Sequence, residues 1–275
     1  MNKDFQKISY QTSKLVTRAY STSFSIGVRC LDVSVRDAIY SIYGFVRFAD
    51  EIVDSFHEHN KEKLLLDFER QYYDAILEGL SLNPIINSFQ ETVTKYKISD
   101  DLVRAFLDSM KSDLSKKKFT EQEIKTYIYG SADVVGLMCL KVFLNGDEVQ
   151  YEHLKPYAMR LGSAFQKINF LRDLKHDTSD LQRVYFPVLK TNSFDEVNKK
   201  IILADIYSDF DEALIGINQL PKNSKLGVYT AYVYYKSLTK RIENTPASEV
   251  INKRIRISNF AKLLLFIKAY LTVGN

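Results

Sequence analysis

The sequence predicts an all-α protein. Apolar residues recur with a helical period along most of the chain, and no sustained run alternates between apolar and polar residues as a half-buried strand does. Only ten glycines and five prolines interrupt the 275 residues, which leaves long segments free to form helices. We expect roughly ten helices in a single domain that covers residues 1–275, because no linker rich in proline, glycine or serine divides the chain.

Signals for helix starts support this fold class. Asn83 followed by Pro84 is typical of an N-cap with proline at the first helical position. Two further sites show the Ser/Thr-x-x-Glu pattern of a capping box, and these are Thr120 with Glu123 and Ser193 with Glu196.

Two carboxylate clusters stand about 120 residues apart in this helical background. The first holds Asp50 and Asp54, and the second holds Asp173 and Asp177. Residues four apart lie on the same face of a helix, so each pair directs two carboxylates to one place. Residues 38–49 carry a single charge, that of Arg47. Because burying carboxylates without a partner is costly, we expect a cation between the two clusters.

The second cluster extends back along its predicted helix. At about 100° per residue, Gln166, Asn169, Asp173 and Asp177 fall within an arc of roughly 80°. The rest of that helix is mostly apolar, so this polar stripe is expected to face an internal cavity. Oxygen ligands of this kind suit Mg²⁺, and nearby Arg172, Lys175 and Arg183 are candidates to bind phosphate oxygens.

Each of these patterns has a simpler interpretation. A single Asp-x-x-x-Asp on a helix is usually a solvated face, but two such pairs in apolar surroundings favour a metal site. The 18 tyrosines and 17 phenylalanines mostly fill a core, and some of those beside the motifs are expected to line a tunnel and to offer ring faces to carbocations.

Five segments carry a resemblance to a known family. Residues 161–177 and 183–187 resemble the signature of squalene and phytoene synthases, and residues 20–24, 38–54 and 127–138 resemble further conserved blocks in the same order. The resemblance covers the chain from about residue 10 to about residue 265 and is strongest to short bacterial phytoene synthases. The departures from the pattern are Thr22, Glu51 and His176.

The resemblance implies an isoprenoid synthase fold around a central apolar cavity and a head-to-head condensation of two prenyl diphosphates. The expected reaction converts two geranylgeranyl diphosphates to phytoene, as in carotenoid biosynthesis, with Mg²⁺ as cofactor, Mn²⁺ as its substitute, and no NADPH. The implied metal ligands are Asp50, Asp54, Asn169, Asp173 and Asp177. The implied catalytic residues are the four aspartates and Tyr129. The implied substrate-binding residues are Ser21, Ser23, Phe24, Tyr43, Arg47, Gln166, Asn169, Arg172 and Arg183.

Other functions remain open at this point. A squalene or dehydrosqualene synthase that uses farnesyl diphosphate is the first alternative. An elongating or cyclising terpenoid enzyme is disfavoured because no Asp-Asp-x-x-Asp motif is present. A non-catalytic relative that acts in complex assembly is disfavoured because all four motif aspartates are retained.

Composition limits the partners and the location. A net charge of +4 gives no basis for nucleic-acid binding and leaves room for a peripheral contact with anionic lipid at the inner membrane face. Cys30 and Cys139 suggest no disulfide framework. Residues 1–7 lack the apolar core of a signal peptide, and the apolar tail at 263–273 is shorter than a spanning helix. We therefore expect a cytoplasmic enzyme, and the sequence leaves substrate length and oligomeric state open.

Overall fold

The regular structure of the chain is helical. The computed structural model describes residues 3–115, 119–175, 185–186 and 194–273, and within these ranges there is no strand. The predicted all-α class is confirmed. The N-terminal helices are α1 (Lys3–Tyr20), α2 (Thr22–Arg29), α3 (Val33–Ser55), α4 (Lys61–Glu78), α5 (Pro84–Tyr96) and α6 (Asp100–Ser115). They are followed by α7 (Glu121–Ile128), a π-helical segment (Tyr129–Asp133), α8 (Val134–Leu144), α9 (Glu148–Arg172), α10 (Glu196–Gln219), α11 (Lys222–Glu243), α12 (Ala247–Val250) and α13 (Asn259–Val273).

Two of the predicted helix starts are present. The Asn83 side chain accepts a hydrogen bond from the Ile85 amide at 3.1 Å, with Pro84 at the first helical position of α5. Thr120 and Glu123 form both hydrogen bonds of a capping box at the start of α7, at 3.2 and 2.8 Å. Local side-chain chemistry therefore sets both starts, as the sequence predicts.

The third predicted helix start, at Ser193 and Glu196, is wrong in its capping residue. Helix α10 begins at Glu196, and its N-cap is Asp195, whose carboxylate accepts from the Asn198 amide at 2.8 Å. Ser193 lies outside the described residues. An aspartate directly before the helix satisfies a free amide and also places negative charge at the positive end of the helix dipole, so it serves as the cap.

The helices pack into two connected groups. Helix α3 contacts α1, α4, α5, α6 and α8. Helices α3, α4, α5, α6 and α8 share one cluster of buried apolar side chains, against which the half-buried Val16 of α1 packs. Helix α9 packs against α8, the π-helical segment, α10 and α11, and residues of its C-terminal half belong to a second cluster. Helix α13 lies against α11.

One composite helix in the described part of the chain is long and apolar enough to cross a membrane. It runs from Glu121 to Leu144 through α7, the π-helical segment and α8, and 67% of its apolar window is buried inside the protein. The burial is that of a core helix, since the neighbouring helices α3, α6 and α9 already cover it.

Candidate active site

An apolar cavity lies where the two groups of helices meet. Its volume is about 280 Å³, and its wall is formed by α2, α3, α8, α9, α10 and α11 together with the π-helical segment. This is the central apolar cavity that the predicted fold requires. The polar side chains in the wall are those of Tyr43, Ser131, Tyr157, Gln166, Asn169 and Tyr235.

The cavity follows the length of α9 from a polar end to an apolar end. Asn169 and Leu154 both line it, and 15 helical residues separate them by about 22 Å. Helix α8 runs antiparallel beside α9, because a Cβ atom at Gly162 would lie 2.9 Å from the Ala132 carbonyl oxygen and one at Gly136 would lie 3.1 Å from that of Ala158. Gly136 and Gly162 therefore let the two helix backbones approach closely.

The first carboxylate cluster is paired with an arginine. Arg47 on α3 forms ion pairs with Asp50 and Glu51, and its guanidinium carbon lies 4.3 Å from the centre of the Tyr20 ring. Burial acts to lower the pKa of Arg47, but the two carboxylates outweigh it and the pKa is raised. The buried Nε of Arg47 has no hydrogen-bond partner among the described residues. Asp54 follows one turn later and is half-buried.

The second cluster is paired with two arginines. Arg172 binds Asp173 at 2.5 Å, and Arg254, which follows α12, binds the other oxygen of Asp173 at 2.7 Å. Burial acts to lower the pKa of Arg172, yet the hydrogen bond and the charge of Asp173 raise it overall. Asp50 and Asp173 therefore both have arginine partners within the fold, and the cation expected between the two clusters stays a prediction.

The predicted helical stripe is also interrupted. Helix α9 ends at Arg172, and Asp173 is its C-cap with φ −103° and ψ 11°. Side chains at adjacent positions do not face each other on a helix. The end of the helix at Arg172 therefore allows the side chains of Arg172 and Asp173 to pair. Gln166 and Asn169 remain on the cavity side of α9. Asp177 and Arg183 lie outside the described residues.

Two tyrosines, Tyr43 and Tyr235, lie between the two carboxylate clusters at the polar end of the cavity. The pKa of Tyr43 is raised to about 12, mainly by burial, with further influence from Arg47, Tyr235 and Asp50. Burial also raises the pKa of Tyr235, which experiences the charges of Arg172 and Asp173. The charge of Asp50 acts on Tyr43, and the charge of Asp173 acts on Tyr235. Tyr43 and Tyr235 also influence each other, so the two carboxylate clusters lie at the same end of the cavity.

Stacked aromatic pairs flank this end. Phe24 stacks on Tyr43 with a centroid distance of 4.5 Å, and Phe165 stacks on Tyr235 at 4.0 Å. All four rings line the cavity. The Tyr235 hydroxyl donates to Asn169 Oδ1 at 3.2 Å, which fixes the orientation of that amide.

The predicted serines lie beside the same end. Ser21 is the N-cap of α2, where its hydroxyl accepts from the Phe24 amide at 3.2 Å, and it also hydrogen-bonds the Tyr43 phenol. Ser23 lies in the first turn of α2 and is half-buried. Ser21 thus helps to orient the aromatic pair.

Tyr129 lies away from the cavity wall. It begins the π-helical segment and packs against the first buried cluster, whereas Ser131 and Ala132 of the same segment line the cavity. The Ser131 hydroxyl is buried without a hydrogen-bond partner among the described residues. A catalytic role for Tyr129 stays a prediction.

Sequence reasoning missed Arg254 and Tyr235. Arg254 is 81 positions from Asp173, and no spacing rule links residues so far apart. The available signal was weak: a basic run at residues 253–256 and a group of tyrosines at residues 229–235.

The donor set fits a hard divalent cation in its chemistry. Asp50, Asp54, Asn169 and Asp173 each offer an oxygen ligand, the kind that Mg²⁺ and Mn²⁺ prefer. Within the described ranges no group of three or more His, Cys, Asp or Glu side chains is close enough to hold a metal. A cation that binds here competes with the arginines for Asp50 and Asp173.

Known proteins share both the sequence pattern and the fold. A family model described as squalene/phytoene synthase matches residues 17–195. The phytoene synthase of Arthrospira platensis is 25% identical, with 93% of this chain and 90% of the relative covered. The 15-cis-phytoene synthase of Synechocystis is 25% identical, with 96% and 85% covered.

Solved structures agree in fold. A dehydrosqualene synthase solved with a ligand superposes with a TM-score of 0.77 at 17% identity, with 99% of this chain and 98% of that chain covered. A squalene synthase from Alicyclobacillus acidocaldarius gives a TM-score of 0.73 at 17% identity, with 86% and 94% covered.

Proposed function

The chain belongs to the squalene/phytoene synthase family, and from that premise we propose that it joins two prenyl diphosphates head to head, making phytoene from two geranylgeranyl diphosphates. One observation carries the proposal. At one end of the elongated apolar cavity two stacked aromatic pairs line the wall, and their tyrosines lie within reach of the charges of Arg47 and Asp50 on α3 and of Arg172 and Asp173 at the end of α9. A ligand with a charged head and a long hydrocarbon tail fits this arrangement.

The arginines of this end bind the diphosphates. A guanidinium matches phosphate oxygens through paired, charge-assisted hydrogen bonds. Arg172 and Arg254 both bind the Asp173 carboxylate. Arg47 keeps one buried donor, its Nε, without an acceptor among the described residues. Asp50, Asp54, Asn169, Asp173 and Asp177 are the proposed holders of Mg²⁺, which when bound supplies Lewis-acid stabilisation of the leaving diphosphate.

The cavity wall protects the cationic hydrocarbon. Apolar side chains along α8 and α9 exclude water, which would otherwise capture a carbocation. The faces of Phe24, Tyr43, Phe165 and Tyr235 stand next to the charged end, where aromatic rings attract positive charge through their quadrupole. The product then forms by loss of a proton, so no nicotinamide is required.

Product identification tests the proposal. Purified protein with Mg²⁺ is incubated with farnesyl or geranylgeranyl diphosphate, with and without NADPH, and the hydrocarbon is identified by mass spectrometry. We expect phytoene from geranylgeranyl diphosphate alone. A product that forms only with NADPH, or only from farnesyl diphosphate, reassigns the chain to squalene or dehydrosqualene synthesis. No diphosphate release from either substrate contradicts an enzymatic function.

A further inference from the structure

Helix α13 exposes a stripe of large apolar side chains. The stripe consists of Phe260, Leu263, Leu264, Ile267, Tyr270 and Leu271, and each of these residues is between 44% and 72% exposed. At about 100° per residue the six side chains fall within an arc of roughly 120°. A continuous exposed apolar surface of this kind marks an interaction site.

The opposite face of α13 already has its partner. Ala261, Leu265 and Ala269 recur every four residues and pack toward the second buried cluster, with Ala269 fully buried. Helix α11 supplies the contact and also lines the cavity through Gly227, Val228 and Ala231. The packing of α13 against α11 therefore does not use the exposed stripe.

The charge around the stripe indicates what covers it. Residues 251–275 contain five basic residues and no acidic residue, whereas the preceding 250 residues contain 33 basic and 34 acidic residues. Lys268 borders the stripe on one side, and Lys262, which lies over the Tyr234 ring at 5.7 Å, stands beyond its other side. Apolar side chains flanked by lysines are typical of helices that lie in a membrane interface.

A second copy of the chain suits this surface less well. A symmetric contact between two α13 stripes brings the same lysines together, and the segment has no carboxylate to pair with them. An anionic lipid surface accepts the apolar side chains and the lysines together. The helix has 15 residues, a length of about 22 Å, which is short of the bilayer core, so it lies along the surface.

We propose that α13 docks the protein on anionic membranes, with the stripe inserted among the acyl chains and Lys262 and Lys268 at the headgroups. The docking does not depend on which reaction the cavity performs, so it stands or falls separately from the proposed activity.

A single tryptophan tests the contact directly, because the chain contains none. Leu264→Trp reports on the stripe, and Leu82→Trp, at a position 86% exposed between α4 and α5, is the matched control. Vesicles of phosphatidylcholine alone are compared with equimolar phosphatidylcholine and phosphatidylglycerol. We expect a blue shift of Leu264→Trp emission with the anionic vesicles and no shift for Leu82→Trp.

Vesicle flotation of the full chain supplies the second measurement. The double variant Leu264→Glu/Leu271→Glu should lose at least about tenfold in binding, while Leu77→Glu/Leu82→Glu, which alters two leucines more than 80% exposed elsewhere, should bind as wild type. Lys268→Gln should weaken anionic binding about fivefold. Thermal melts verify that each variant is folded.

Three results overturn the proposal. The first is no binding to either vesicle, and the second is equal blue shifts at both tryptophans. The third is a concentration-dependent dimer that the glutamate variant dissociates, which assigns the stripe to a second copy.

Discussion

Replacing Asp173 with asparagine should destabilise the ligand-free protein and abolish its activity. The Asp173 carboxylate is the partner of both Arg172 and Arg254. The side chains of Asp173 and Arg172 are only 21% and 20% exposed, whereas that of Arg254 is 51% exposed. Asp173→Asn keeps the shape of the side chain but leaves the guanidinium of Arg172 largely desolvated without a counter-charge.

The size of the effect follows from this burial. Breaking a fully buried ion pair costs about 3–5 kcal/mol, and breaking an exposed pair costs about 0–1 kcal/mol. The remaining exposure of one fifth, together with the amide oxygen that still accepts one hydrogen bond, places the expected loss near 2 kcal/mol. For a chain of this size the melting temperature should fall by about 4–8 °C.

Calorimetry or circular dichroism melts measure the shift, and a surface variant serves as the control. Asp108 is 60% exposed, and its partner Lys111 also binds Glu69 at 2.8 Å, so Asp108→Asn should cost less than about 0.5 kcal/mol. Removing the unmatched guanidinium in Arg172→Gln/Asp173→Asn should recover part of the loss. A melting temperature of Asp173→Asn within about 1 °C of wild type would refute the pairing.

Three further predictions concern the metal, the remaining aspartates and pH. Activity should disappear with excess EDTA and return with Mg²⁺ or Mn²⁺, and full turnover in EDTA contradicts the metal proposal. Asp54→Asn and Asp177→Asn should each lower turnover by orders of magnitude with unchanged helical content by circular dichroism; near-normal rates exclude both as ligands. The pKa of Asp133 is raised to about 7, mainly by burial. A hydrogen bond from Ser163 acts in the opposite direction but is a smaller effect. The folded protein therefore holds a proton that the unfolded chain releases near pH 4, so stability falls as pH rises from about 4 to 7. Asp133→Asn should flatten this dependence and stabilise the protein at pH 8 by more than about 1 kcal/mol, as urea titrations at several pH values will measure.

Features that depend on local pattern could be predicted from the sequence. Gln166 and Asn169 are three residues apart on a mostly apolar helix, and both line the cavity. The helix starts at Asn83 and Thr120 depend on side chains that bond the backbone within three residues. Periodicity and capping act over one or two turns, so the sequence contains all the information they need.

Features that depend on distant partners could not be predicted. The contact of Arg254 with Asp173 joins α9 to a segment 81 positions later. The end of α9 at Arg172 interrupts a pattern that looks helical through residue 177. The π-helical segment is equally hidden, because no residue between Tyr129 and Asp133 excludes an ordinary α-helix. Tertiary packing overrides local preference at each of these places.

The arginines at the polar end explain how the fold tolerates carboxylates beside an apolar cavity. Carboxylates gathered beside an apolar cavity repel one another and lose hydration. Arg47 pairs with Asp50, and Arg172 and Arg254 pair with Asp173, which offsets this cost. Under the proposed function, a cation and a diphosphate that bind together would bring opposite charges, so Asp50 and Asp173 would hold the cation while the arginines hold the phosphate oxygens. These carboxylates and arginines would then keep a partner of opposite charge before and after binding. Under this proposal the site favours a cation and a diphosphate together over either one alone. A cation alone displaces arginines that then have no other anion to bind.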